Sequence, residues 1–384
     1  VFILVKLTFA KKNNYMKKYL LPIMAVLTSV VILSSCEKDD PAPNTPAYTV
    51  PDTYDFTNVE YGEATARVNM WSGFTAYLGK ATTRKLTQDT VNYLWNNTNS
   101  AYTSEIVVNL PNSKDALNSS AFNLSGKSVD PAIFKAYADS MVIVSASNGA
   151  TGSEGVPGKI GSRLFNYTGL EFNQLVAKGL MGSFQMFSIA SYLDKVASDD
   201  NNTVNAGTGT AMQHDWDLAF GYTSLPKIYD SSIDYAKTVV DRPLAIGGYF
   251  RERGSYIKAA GKIYEAFRTG RAAIAVKDYV VRDKAIATIK ETLEKTLAAA
   301  CYEYSGVGMT GADIPTRFHG LSEGYGFVLA LKYRQTGSKL TDANYQALLS
   351  IFKTSFYQLD ADASHIKLKE AQTILTSAYG QLQP

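Results

Sequence analysis

Cysteine and histidine are scarce in this chain of 384 residues: two cysteines and three histidines, with three tryptophans beside them. No Cys-pair zinc spacing exists, and neither H-E-x-x-H nor G-x-G-x-x-G occurs. The sequence also lacks long runs of one charge. Its 38 basic and 35 acidic residues are interspersed, and no polybasic block is present to hold nucleic acid or anionic lipid. Strand-like alternation is rare too. Only "SEIVVNL" (104–110) reads as a strand, and one strand makes no sheet.

What is there first is an address. Val1 to Tyr15 precede a Met and read as upstream sequence. "MKKYLLPIMAVLTSVVILSSC" then has a basic start at Lys17 and Lys18, an apolar run from Tyr19 to Leu33, and small residues before Cys36. The run is too short and too unevenly flanked for a permanent span, so it predicts a cleaved export signal over 1–35. Leu33-Ser34-Ser35-Cys36 resembles a bacterial lipobox, which implies lipidation of Cys36 and attachment to outer-membrane lipid. "CEKDD" resembles the export tag of surface lipoproteins. Cleavage removes Lys6, Lys11, Lys12, Lys17 and Lys18. Taking five from 38 leaves 33 basic against 35 acidic residues, a net charge of −2. With Cys36 acylated, Cys301 in "TLAAACYEY" is the remaining thiol, and it reads as a small core residue.

Residues 36–58 carry Pro41, Pro43, Pro46 and Pro51 and predict a flexible tether. Beyond it the periodicity is helical, so the fold class is all-α, with one bundle at 59–225 and another at 243–384. Ala64, Val68, Trp71, Thr75 and Leu78 form one helical stripe. Asp130 is placed as N-cap with Pro131 at the first helical position. Phe172, Leu175, Val176, Gly179, Leu180, Ser183, Phe184 and Phe187 share a face, and Gly179 and Gly182 are read as sites of close helix packing. Further helices are expected over Tyr249–Phe267, Arg271–Tyr304, Phe318–Gln335, Thr341–Gln358 and His365–Tyr379. The glycine-punctuated 149–161 and the polar 197–210 read as structureless loops.

Two short segments carry the candidate chemistry. "HDWDLAFGY" starts at His214 and "HGLSEGYGF" at His319, and each places a carboxylate three or four residues on, Asp217 and Glu323. On a helix those spacings put both groups on one face. The expected role is a hydrogen-bonded structural pair at each site. A bound transition metal on His214, Asp217, His319 and Glu323, with Glu171 as an extra inward carboxylate, is the alternative. Gly320-Leu321-Ser322-Glu323-Gly324 matches a nucleophile-elbow pattern, with Asp360 and His365 following in triad order. That elbow needs a buried strand before the serine, and "GADIPTRFHG" is not one. Arg251, Arg253 and Arg271 are candidates to clamp an anion. The 25 tyrosines suit core positions or stacking platforms.

Taken together, "GLEFNQLVAKGLMGSF", "HDWDLAFGY", "GGYFRERG", "GRAAIAVKDY" and "FHGLSEGYGF" resemble an uncharacterised Bacteroidetes surface lipoprotein family found beside imelysins in iron-uptake loci. The more distant likeness is to imelysins, which have two helical bundles and a Gly-x-His-x-x-Glu signature. Here His319 and Glu323 stand one residue further apart, and Asp217 takes the acidic place after His214. The resemblance implies a non-enzymatic binding or accessory component of iron or haem acquisition at the outer membrane. It also implies a TonB-dependent receptor or an imelysin-type protein as partner. A glycan-binding surface lipoprotein is the alternative, and a peptidase or hydrolase the third.

Overall fold

The computed structural model describes residues 48–384. The export signal, Cys36 and the first part of the tether lie outside the described residues. Among these, fourteen α-helices are joined by loops, 3-10 turns and one two-stranded hairpin, so the chain is all-α in class. The N-terminal half holds α1 (Gly62–Gly79), α2 (Gln88–Asn96), α3 (Lys114–Asn118) and α4 (Pro131–Ser145). The hairpin β1 (Gly158–Ile160) and β2 (Arg163–Phe165) comes next, then α5 (Phe172–Leu180), α6 (Phe187–Val196) and α7 (Ala211–Thr223). After a helix-free stretch at 224–245 come α8 (Ile246–Glu252), α9 (Ala259–Ala275), the long α10 (Tyr279–Thr310) and α11 (Ile314–Ala330). The chain ends with α12 (Asp342–Lys353), α13 (Phe356–Ala361) and α14 (Ile366–Tyr379). No helix of the described residues is long and apolar enough to cross a membrane.

The centre is α10 and α11, packed on each other. α10 also carries α9 and α14, while α11 carries α5 and α12. The helix-free stretch at 224–245 falls where the two expected bundles join, yet helices on either side of it touch. α5 packs on α11 and α7 on α9, and Tyr48–Pro384 form one unit with a continuous core. Gly182 faces the backbone of Ala330 so closely that no side chain would fit, as expected for a packing glycine. Gly179 likewise lies against the Phe134 ring.

Several expectations need correction. The stretch 104–110 is no strand: Ile106 and Val107 close a turn onto the Thr103 carbonyl, Asn109 is left-handed, and Val108 points to solvent. The strands lie instead at 158–160 and 163–165, so the end of 149–161 is β structure. Gly152 and Gly158 approach backbone to backbone there, which explains glycine at both places. The loop 197–210 is also structured, because buried Asn201 donates to the Ile274 carbonyl at 2.8 Å and accepts from Thr210 at 2.8 Å. Asp130 sits at the start of α4 but is left-handed and makes no cap. Its carboxylate accepts from Lys332 at 2.8 Å and Tyr333 at 3.0 Å.

The long apolar helix of 172–196 is interrupted by a π segment, Met181–Met186, buried throughout. The wider π turn rotates the start of α6 about the helix axis, so Phe187 is exposed rather than sharing the face of Leu175 and Leu180. The expected helix at Tyr249–Phe267 is broken between α8 and α9, where Lys258 is left-handed. That at Arg271–Tyr304 is divided before Asp278, which caps α10 through the Val281 N–H. Likewise Thr341–Gln358 is broken at Thr354–Ser355, between α12 and α13.

Candidate functional site

The opening turn of α11 places His319. Asp313 accepts from the Thr316 N–H at 2.9 Å and Pro315 stands in the first turn, so "GADIPTRFHG" is a helix start. His319 Nδ1 lies 2.7 Å from Glu171 Oε2 and also 2.7 Å from Arg163 Nη1. One ring nitrogen cannot donate to Glu171 and accept from Arg163 together, so the tautomer selects between them. Nε2 faces Glu323 Oε1 at 3.6 Å, beyond a hydrogen bond. The carboxylate partner of His319 is therefore Glu171, brought from the start of α5, rather than Glu323 as expected. Glu323 pairs with Lys178 Nζ at 3.0 Å. Burial raises its carboxyl, yet the charges of Lys178 and His319 and the hydrogen bonds of Tyr304 and Lys178 together outweigh that and hold it below its ordinary value.

Carboxylates on opposite sides of one ring do not converge on a point, and Arg163 and Lys178 already balance them. Among the described residues, no three His, Cys, Asp or Glu side chains could hold a metal ion. His214 and Asp217 on α7 and His319 and Glu323 on α11 are thus not gathered into one such group. Ser322 lies inside α11, fully buried, donating to the Phe318 carbonyl at 2.7 Å and accepting from the Glu171 N–H at 2.9 Å. Asp360 is paired with Arg317, and His365 begins α14. The elbow pattern is thus a helical turn without a triad.

The second histidine differs again. His214 and Asp217 stand on α7, but no bond joins them: His214 Nδ1 and Asp217 Oδ2 are both buried without partners. Asp217 Oδ1 instead accepts from Arg271 Nε at 2.9 Å and from the Tyr54 hydroxyl at 2.7 Å. Tyr54 is fully buried, its ring stacked on Phe220 at 3.6 Å, and its N–H donates to the Lys227 carbonyl. Arg268 and Arg271 donate to the carbonyls of Pro51 and Thr57. The later part of the expected tether is therefore a strap clamped to the body. Burial pushes the Asp217 carboxyl up to about 6 against the opposing pull of Arg271 and Tyr54.

The three candidate clamp arginines do not converge. Arg271 is spent on Asp217. Arg253 binds Glu303 at 2.5 Å and the Tyr304 hydroxyl at 3.1 Å. Arg251, paired with Asp234 at 3.1 Å, does line an open cleft of about 1180 Å³. This cleft runs between the 229–245 stretch and the helices α8 and α9. Buried Trp71, Tyr229 and Tyr249 contribute to its wall, with half-buried Tyr235 stacked on Tyr229 at 5.7 Å. Lys178 and Met181 reach it from the other side, so the π segment and the Glu323 pair border the same cavity. Lys178 also lies 5.2 Å from the Tyr249 ring centre, and Tyr249 shares a hydrogen bond with Tyr304 at 3.1 Å. Burial keeps the Tyr249 phenol protonated, well above its ordinary value.

Sequence reasoning found Arg251 but missed Lys178, Tyr229 and the cleft as a whole. The tyrosine cluster of 247–264 was the available signal. No curated protein and no solved structure matches the chain. Residues 51–381 match the family described as "Domain of unknown function (DUF4856)", and with most of its length matched, the protein belongs to that family.

Proposed function

We propose that the protein is a binding component of iron or haem acquisition, held at the cell surface through acylated Cys36, with the cleft beside α8 and α9 as its ligand site. The observation that carries this reading is the cleft itself. Its volume of about 1180 Å³ is ample for a small molecule, and Trp71, Tyr229, Tyr235, Tyr249 and Phe250 contribute aromatic rings to its wall. Because no donor set for a bare ion is gathered among the described residues, iron would arrive already complexed, as haem or another organic chelate. A binding role, rather than peptidase or hydrolase chemistry, is supported by Ser322 being locked between two backbone groups. A TonB-dependent receptor or an imelysin-type protein is the partner such a component would serve. The aromatic lining also favours a second reading, a glycan-binding surface lipoprotein.

The test is a haem titration of the mature protein, monitored by absorption and by quenching of tryptophan emission. Gly261→Leu supplies the control. A Cβ at Gly261 meets only Ser231 Oγ, at 3.5 Å, so the larger side chain projects into the cleft without disturbing packed backbone. Saturable haem binding by the wild type, lost in Gly261→Leu, is the expected result. Binding of a neutral oligosaccharide panel in place of haem would favour the glycan reading.

A further inference from the structure

We infer that the cleft selects an organic anion, a ring-bearing molecule whose carboxylate or phosphate is received by cations on the cleft wall. This rests on the reading of the cleft as the ligand site. Five basic side chains line it, Lys178, Lys237, Arg242, Arg251 and Lys258, against two acidic ones, Asp234 and Glu252. Both acids are already engaged, Asp234 by Arg251 at 3.1 Å and Glu252 by Arg253 at 3.2 Å. Lys178 is balanced by Glu323 at 3.0 Å. Among the described residues, Lys237, Arg242 and Lys258 have no carboxylate within ion-pair distance. Arg242 is oriented by the carbonyls of Asn109 at 2.6 Å and Val239 at 2.9 Å, which leaves its positive charge uncompensated.

The cavity therefore carries a surplus of three positive charges on a chain whose mature net charge is slightly negative. Such local bias in a walled concavity concentrates field lines and attracts the opposite charge. The aromatic walls supply the complementary half of the recognition. Tyr229 and Tyr235 stack with planes 16° apart, and Tyr249 and Trp71 lie on the same cavity. A ring seated beside half-buried Tyr235, with an acidic substituent directed at Lys237, Arg242 or Lys258, satisfies both features together. A neutral sugar would use the rings and leave the cations without purpose.

The experiment compares protoporphyrin, which bears two carboxylates, with its neutral dimethyl ester, each titrated into the mature wild type and into a Lys237→Gln/Lys258→Gln variant. Both lysines are exposed, so the variant keeps the fold, and circular dichroism verifies this. The expected result is an acid that binds about tenfold more tightly than its ester, a preference that shrinks in the variant and with added salt. Equal, salt-insensitive binding of acid and ester would overturn the inference while leaving the cleft reading intact. Binding of neither molecule would overturn the cleft reading and the inference with it.

Discussion

At the residue scale, the buried polar groups decide what each histidine and carboxylate can do. Asp217 gives a pH signature with a definite sign. Its raised carboxyl means that the folded protein holds this proton more tightly than the unfolded chain. Its stabilising contribution is complete below the ordinary Asp value, near pH 4, and is lost as pH rises to about 6. Denaturant unfolding between those limits should show stability falling by on the order of 3 kcal/mol from this group. Asp217→Asn should flatten that decline, and an unchanged slope would contradict the assignment. His319→Ala removes a hydrogen-bonding partner shared by buried Glu171 and Arg163 and is expected to cost about 1–3 kcal/mol. Ser322→Ala, which the motif alone would leave innocuous, also strands the Glu171 N–H and should cost a similar amount, read as a lower melting temperature. The sequence placed both histidines on helices with a carboxylate on the same face. It could not show that Tyr54, Arg271 and Glu171, from 148 to 163 residues or 54 residues away, capture those groups instead. Partners so distant leave no periodicity to read.

At the scale of elements, glycine positions separate packing from open space. Gly182 lies in the π segment against the Ala330 backbone, where no side chain can be accommodated. Gly182→Ala should destabilise by about 1–3 kcal/mol through overpacking. Gly261 is also helical but faces the cleft, so Gly261→Ala should be neutral or stabilising by up to about 1 kcal/mol. Thermal melts of the two variants should move in opposite directions or, at least, differ clearly in size. The longer helices were legible because apolar residues recur every three or four positions along them, whereas the short α2 and α3 were not anticipated. The π segment was not, since Met181, Gly182 and Ser183 look like any helical run. Its trace is Gln185, a fully buried amide that bonds the Tyr222 carbonyl at 3.0 Å and the Ile246 N–H at 3.2 Å. The hairpin was hidden for the opposite reason, because glycine at 152 and 158 reads as loop until the two backbones are seen in contact.

At the scale of the whole molecule, the strap clamped to the body is the part of the expected tether that lies within the described residues. The span from Cys36 to Tyr48 reaches at most about 40 Å when extended, so an acylated Cys36 would keep the body close to the bilayer. Cys36→Ala should move the protein from the membrane fraction to the soluble one, and unchanged fractionation would contradict acylation. The cleft was the least legible feature, because its walls come from α1, α5, α8, α9 and the helix-free 229–245 stretch. Hydrogen exchange of the protein, with and without haem, tests the cleft most directly. The expected result is ligand-dependent protection concentrated in 229–261. Protection confined to the surroundings of His319 and His214, with 229–261 unchanged, would contradict it.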